Sequence, residues 1–136
     1  AEVGRFLMDS RQALLDAGVA PERICLDPGF GFGKTLAHNL ALYRGIPGWA
    51  QVAPVLVGVS RKSMLGAITG QPVDRRLPAS LAAALAGVQA GATIVRVHDV
   101  PETAQALAVW VATGLPAMRA GSVHNAAGQT GHTAEE

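Results

Sequence analysis

The sequence predicts an α/β domain built on a parallel sheet, and three observations carry that prediction. Three short runs, Ile24–Leu26, Val55–Val59 and Thr93–Val97, read as buried strands, nearly continuous in apolar residues. Segments with helical spacing separate them, so a strand recurs every thirty to forty residues. Each run also ends in polar or glycine residues, as strands do when βα loops gather at one sheet edge. Continuous apolar strands joined by helical crossovers imply a parallel sheet covered on both faces.

The first helix is predicted from Val3, Phe6, Leu7, Leu14 and Ala17, which keep roughly helical spacing on one face, with Gly18 as a stop. Pro21 and Glu22 lead into the Ile24 strand, where Cys25 reads as an inert, buried small residue. Leu36 to Arg44 reads as a helix with Leu36, Leu40, Tyr43 and Ile46 inward, ended by Gly45-Ile46-Pro47-Gly48. After the second strand, Met64 to Ile68 forms a brief helix and Gly70 to Leu77 a polar loop. Pro78 suits the first turn of an alanine-rich helix that runs through Gln89 and closes at Gly91. Asp99-Val100-Pro101-Glu102 starts the last helix, with Asp as cap, Pro in the first turn and Glu three residues on, and that helix runs to about Thr113. From Ala117 the chain is poor in apolar residues, so 1–115 is expected to be the domain and 116–136 a disordered tail; His124 and His132 fall there and read as solvated.

The 136 residues suffice for one domain with a real core. Hydrophobic residues make up 49% and aromatics 4%, so that core is built from Ala, Val, Leu and Ile. A net charge of +1 argues for neither a nucleic-acid surface nor an acidic-lipid binder. No apolar run reaches membrane-spanning length, and the single cysteine allows no internal disulfide, which makes a cytoplasmic location the default.

The chemistry gathers at the strand ends. Asp27 closes the first run and Pro28-Gly29-Phe30-Gly31-Phe32-Gly33-Lys34-Thr35 follows, a loop in which glycines alternate with phenylalanines. The glycines allow sharp turns and close approach to a ligand, and Phe30 and Phe32 offer flat surfaces to a planar ring. A nucleotide phosphate loop needs one more residue between its first Gly and Gly-Lys-Thr, and a dinucleotide fingerprint needs glycine where Lys34 stands. A ligand-free glycine-rich turn is the other reading. Arg96 and His98, two apart on a strand, leave one face and form an anion grip, unless Arg96 simply pairs with a structural carboxylate. In Ser60-Arg61-Lys62-Ser63, Ser63 can cap a helix whose first amides suit a carboxylate, and Gly58 lets a planar ligand approach the strand. A solvated basic turn is the plainer reading, least so for Lys62.

Three motifs in order, Leu-Asp-Pro-Gly-Phe-Gly-Phe-Gly-Lys, Val-Gly-Val-Ser-Arg-Lys-Ser-Met and Arg-Val-His-Asp-Val, closely resemble dihydropteroate synthase, and the similarity runs from about Val3 to Thr113. The resemblance implies the C-terminal part of a (β/α)8 TIM barrel, about three of its eight strands, with the family's first half absent. It implies a transferase of folate biosynthesis that condenses 6-hydroxymethyl-7,8-dihydropterin diphosphate with 4-aminobenzoate, giving 7,8-dihydropteroate and diphosphate, and that sulfonamides mimic the aminobenzoate. Carried over by position, Asp27, Gly58, Lys62 and Arg96 bind the pterin, Phe32, Arg61 and Ser63 shape the aminobenzoate pocket, and Arg96 with His98 holds the diphosphate. Lys62, Arg96 and His98 are the catalytic candidates. Magnesium would be held by the diphosphate and an asparagine of the absent half, with no ligand in this chain. The implied partners are small molecules, with a homodimer in the complete enzyme. The resemblance further implies a chain that is inactive and marginally folded alone. A corrinoid-linked pterin methyltransferase shares the pocket, but a methyl carrier has no aryl carboxylate for the 60–63 segment to grip. A noncatalytic pterin-binding module is the third reading.

Overall fold

A computed structural model describes residues 2–32 and 34–115; the tail expected beyond Leu115, with His124 and His132, lies outside the described residues. The elements in order are α1 (Glu2–Asp16), α2 (Leu36–Ala50), β1 (Leu56–Val57), α3 (Ser63–Thr69), α4 (Leu77–Ala90), β2 (Ile94–Val95) and α5 (Val100–Ala112). Short 3-10 turns at Pro21–Arg23 and Val73–Arg75 complete the backbone.

The predicted strands form a parallel sheet whose ladder is shorter than the apolar runs. The first run joins it through one bridge, Leu26 to Val55, with Leu26 N–H donating to Pro54 O and Leu56 N–H to Leu26 O, both at 2.8 Å. β1 and β2 pair in register, Leu56 with Ile94 and Val57 with Val95, and Arg96 N–H extends the pairing to Val57 O at 2.9 Å. Strand side chains alternate, so this register settles both faces. Ile24, Leu26, Val55, Val57 and Val59 turn to the helices and are buried. Cys25, Asp27, Leu56, Gly58, Ser60, Ile94, Arg96 and His98 take the other face. Among the described residues the helices cover only the first of these faces, which corrects the expected two-sided cover. Cys25 is therefore exposed rather than buried, and Ile94 keeps 40% of its surface.

The helices form where their signals lie, but packing rotates or lengthens two of them. In α1, Leu7 is buried and Val3 and Met8 pack beside it, whereas Phe6 is 69% exposed and Leu14 also faces outward. The rotation follows from a close approach at Gly4, where an added Cβ would stand 3.2 Å from Trp49 Nε1. Helix α2 starts at Leu36 as predicted, with Thr35 Oγ1 accepting the His38 N–H at 3.2 Å. It does not stop at Gly45, running instead through Pro47 to Ala50. Ile46 is fully buried there and Trp49 packs on the bare Gly45 backbone, so burial outweighs the poor intrinsic helicity of Gly and Pro. Its buried row is Asn39, Leu42 and Ile46; Leu36 and Leu40 are exposed, and Tyr43 is half-buried. The Tyr43 hydroxyl donates to Ala83 O at 3.1 Å, and burial pushes its pKa up to about 12.

Gly45 gives a stability prediction. A Cβ at Gly45 would lie 2.6 Å from the Trp49 ring, which Gly4 pins from the other side, whereas one at Gly48 meets nothing within 4 Å. Gly45→Ala is expected to destabilise by about 1–3 kcal/mol through overpacking. Gly48→Ala, on the same helix, should instead stabilise by roughly 0.5–1 kcal/mol. Urea midpoints of the two variants test this, and equal shifts would refute the packing account.

The remaining elements match their local signals. Pro78 lies in the first turn of α4, and Gly91 closes that helix at φ 125°. Gly87 lets α4 settle onto the sheet, since its Cβ would stand 3.1 Å from Val57. Asp99 is the N-cap of α5 and Glu102 lies in its first turn, but the Asp99 side chain makes no capping bond. No described helix is long and apolar enough to cross a membrane.

Candidate active site

Asp27 ends the first extended run on the uncovered face, and its own loop holds it. Gly29 N–H donates to Oδ1 at 3.0 Å, a turn in which the carboxylate folds back on the backbone two residues on. Oδ2 accepts from the Arg96 guanidinium at 3.2 Å, joining residues sixty-nine positions apart. Arg96 lies flat over Gly58, where a Cβ would come within 2.6 Å of Nη2, so the glycine is what allows the guanidinium to rest against β1. Arg96 was expected inside a buried strand, yet its side chain is 55% exposed, because the strand face it leaves is bare.

Lys62 reaches the same place from the end of β1. Its Nζ donates to Phe30 O and stands 4.7 Å from the centre of the Phe32 ring, a cation–π contact. Burial lowers the affinity of Lys62 for its proton, and the positive charges of Arg96 and Lys34 act in the same direction against the opposing pull of Asp27. Of the two aromatics expected to form a shelf, only Phe32 is exposed, at 70%. Phe30 is buried in the core, with its ring centroid 4.9 Å from that of Tyr43. Lys34 bridges the loop, donating to Gly29 O at 2.9 Å and Phe32 O at 3.1 Å.

The third strand end brings His98 over Ser60, two residues beyond Arg96 over Gly58 in the same register. Nδ1 of His98 lies 3.0 Å from Ser60 Oγ, and the His98 backbone N–H donates to the same oxygen at 3.3 Å. Arg96 and His98 thus share a face, as their spacing requires. Asp27 and Arg96 pair directly, Lys62 lies near enough for both charges to act on its amine, and His98 stands beside Arg96 on the same strand end.

The 60–63 turn differs from its expectation. Arg61 does not open toward a ligand: Nη2 donates to Asp99 Oδ1 at 2.7 Å and Nε to Oδ2 at 3.3 Å. The guanidinium holds the Asp99 carboxyl below its ordinary range, and Asp99 in turn raises Arg61. Arg61 has φ 58°, left-handed for a non-glycine residue, and its N–H donates to the buried Ser80 Oγ at 2.9 Å. Ser63 is not the cap of α3. Lys62 takes the N-cap position without a side-chain bond, because an ammonium has only donors and a cap must accept, and Ser63 becomes the exposed first helical residue.

A model of the pterin binding enzyme family matches residues 1–98. The chain belongs to the pterin-binding enzyme family. The chain is 53% identical over 117 residues to the dihydropteroate synthase of Neisseria meningitidis serogroup C, covering 84% of the chain and 41% of that relative. Its fold matches the crystal structure of Burkholderia cenocepacia dihydropteroate synthase with a TM-score of 0.80 and 52% identity, over 87% of this chain and 47% of that one. It also matches a dihydropteroate synthase from Coxiella burnetii in complex with pteroic acid, at TM-score 0.77 and 40% identity, over 82% and 42% of the two chains. The chain therefore spans less than half the length of these three relatives.

Asn39 escaped the sequence reading, and Ser60 was read only as part of the 60–63 turn. Asn39 is buried and its Oδ1 accepts the Gly31 N–H at 2.8 Å, which ties the glycine loop to α2. Its spacing to Leu42 and Ile46 is a buried-row signal, and a polar residue in such a row needs a partner. Ser60 continues the Leu56–Gly58 face, so the alternation itself places it beside His98. Among the described residues no group of three or more His, Cys, Asp and Glu stands close enough to hold a metal.

Proposed function

We propose that this chain supplies the pterin-side wall of a dihydropteroate synthase, and that the complete enzyme condenses 6-hydroxymethyl-7,8-dihydropterin diphosphate with 4-aminobenzoate. The observation that carries the reading is the Asp27–Arg96 pair with Lys62 beside it on one uncovered sheet face. A pterin presents adjacent N–H donors along its amino-pyrimidinone edge, and a two-oxygen carboxylate matches them. Each Asp27 oxygen has one protein donor, which leaves lone-pair capacity for the ligand. The identity with dihydropteroate synthases, and the pteroic acid complex of one of them, support the same substrate class.

The chemistry follows from the charges. The C–O bond between the pterin methylene and the diphosphate breaks first, with Arg96 and His98 offering N–H donors to the leaving oxygens. The electron-poor methylene, conjugated with the ring, is then attacked by the arylamine nitrogen, which passes its proton to solvent. An arylamine needs no strong base here, so placement and leaving-group electrostatics do the catalysis. Lys62 would hydrogen-bond the pterin, and Phe32, beneath its amine, would form an aromatic edge of the aminobenzoate pocket. Ser63 would meet the aminobenzoate carboxylate from the start of α3. Arg61, tied to Asp99, would shape that pocket by fixing the turn rather than by touching the ligand.

The same proposal includes the architecture, about three of eight strands of a (β/α)8 barrel. The uncovered face with Cys25, Leu56 and Ile94 supports it, since in a barrel that face is the packed interior. Titration calorimetry on the full-length protein tests the site. Asp27→Asn is expected to weaken 6-hydroxymethylpterin by about a hundredfold, the worth of charge-assisted hydrogen bonds. Unchanged pterin affinity in that variant would remove the basis of the proposal. The 136-residue chain alone, assayed in parallel, is expected to form no dihydropteroate.

A further inference from the structure

We infer that Ser60 is a positioning residue that locks His98 in the tautomer bearing its proton on Nε2, so that a neutral imidazole offers an N–H to the departing diphosphate. The inference rests on the transferase reading for what His98 contacts, but the tautomer itself rests on the contacts of Ser60 alone. Ser60 is 8% exposed, at the end of the uncovered face of β1 where the chain turns into the left-handed Arg61. Its oxygen meets two nitrogens of one residue, the backbone nitrogen of His98 at 3.3 Å and Nδ1 at 3.0 Å.

Those two contacts are not equivalent. A backbone N–H can only donate, so it occupies a lone pair of Oγ and leaves the hydroxyl proton free. A hydroxyl this buried pairs its proton, and among the described residues Nδ1 is the acceptor within reach. Nδ1 therefore accepts, and in the neutral ring the proton sits on Nε2. Nε2 is on the ring edge away from Ser60, and His98 is an exposed residue on the face shared with Arg96.

The consequence is chemical. With the opposite tautomer the ring would turn a lone pair toward phosphate oxygens, a repulsive contact in place of a hydrogen bond. With the Nε2–H form the ring can assist diphosphate departure without first being protonated. The work of Ser60 is thus orientation, and it should be felt in the step where charge builds on the leaving group.

Nitrogen-15 spectra of histidine-labelled full-length protein test this, with the His98 signals assigned by their loss in His98→Gln. In the neutral ring the unaltered protein should show a protonated, pyrrole-like Nε2 and a pyridine-like Nδ1. Ser60→Ala should merge these toward the averaged pattern of a free ring, and Ser60→Thr, which keeps the hydroxyl, should retain them. In turnover, Ser60→Ala should lower kcat about tenfold, the loss of one hydrogen bond's worth of orientation, with KM for both substrates nearly unchanged. A pyrrole-like Nδ1 in the unaltered protein, or an unchanged Nε2–H pattern in Ser60→Ala, overturns the inference and leaves the transferase reading intact. A normal kcat in Ser60→Ala despite a scrambled tautomer overturns the link to diphosphate departure. Failure of the unaltered full-length protein to form dihydropteroate overturns the transferase reading and that link together, while the spectra still decide the tautomer.

Discussion

Lys62→Ala, made in the full-length protein, is expected to cut dihydropteroate formation by about a hundredfold or more, the scale seen when one well-placed polar donor is removed from a reacting site. The amine lies between the Phe30 carbonyl and the Phe32 ring, in the field of Arg96 and Asp27, and the neighbouring Lys34 amine is already held by Gly29 O and Phe32 O. Its stem is closely fitted as well, since a Cβ on Gly31 would stand 3.1 Å from Lys62 Cδ. For that reason Lys62→Arg should rescue little: a planar guanidinium needs width that the glycine loop does not leave. Steady-state assays with calorimetric pterin binding measure the effect, and thermal melting confirms that the variant is folded. Near-normal turnover in a folded Lys62→Ala protein would remove Lys62 from the proposed machinery.

Arg96→Ala should be comparably damaging to turnover and nearly silent in stability. The Arg96–Asp27 pair is substantially exposed, at 55% and 36% of the two side chains, so water screens it and its net worth to folding is at most about 1 kcal/mol. Its proposed role is different, since it lies against the pterin and draws charge from the leaving diphosphate, where a lost guanidinium has no substitute. A second variant isolates position from charge. Gly58→Ala keeps Arg96 but drives a methyl to 2.6 Å from its Nη2, forcing the guanidinium off β1. It should therefore lower kcat in the same direction as Arg96→Ala, by a smaller factor. If Gly58→Ala left kcat unchanged while melting and pterin affinity also held, the resting place of Arg96 would have no bearing on catalysis.

The local signals read well because each acts over a few residues. Pro78 near the start of α4, Gly91 at its end and Asp99 before α5 all stand where their backbone preferences put them. The two-residue spacing of Arg96 and His98 was enough to place both on one face, and the strand-end position of Asp27 was enough to aim it there. Where the reading failed, a partner outside the local motif decided the matter. Trp49, pressed between Gly4 and Gly45, rotated α1 and carried α2 past two glycines and a proline. Asp99 left its capping role because Arg61, thirty-eight residues earlier, offered a charged partner. Phe30 went into the core against Tyr43 although Phe32, two residues on, stayed outside.

The order of elements, the parallel arrangement and the gathering of polar residues at strand ends belong to the sequence, because hydrophobic period and capping chemistry are written in neighbouring letters. The pairing of Asp27 with Arg96, the capture of Lys62 by the glycine loop and the seating of His98 on Ser60 belong to the tertiary structure. Each joins segments more than thirty residues apart. A side chain that could serve several partners is assigned to one only when the folded sheet sets its distances and decides which faces lose their water.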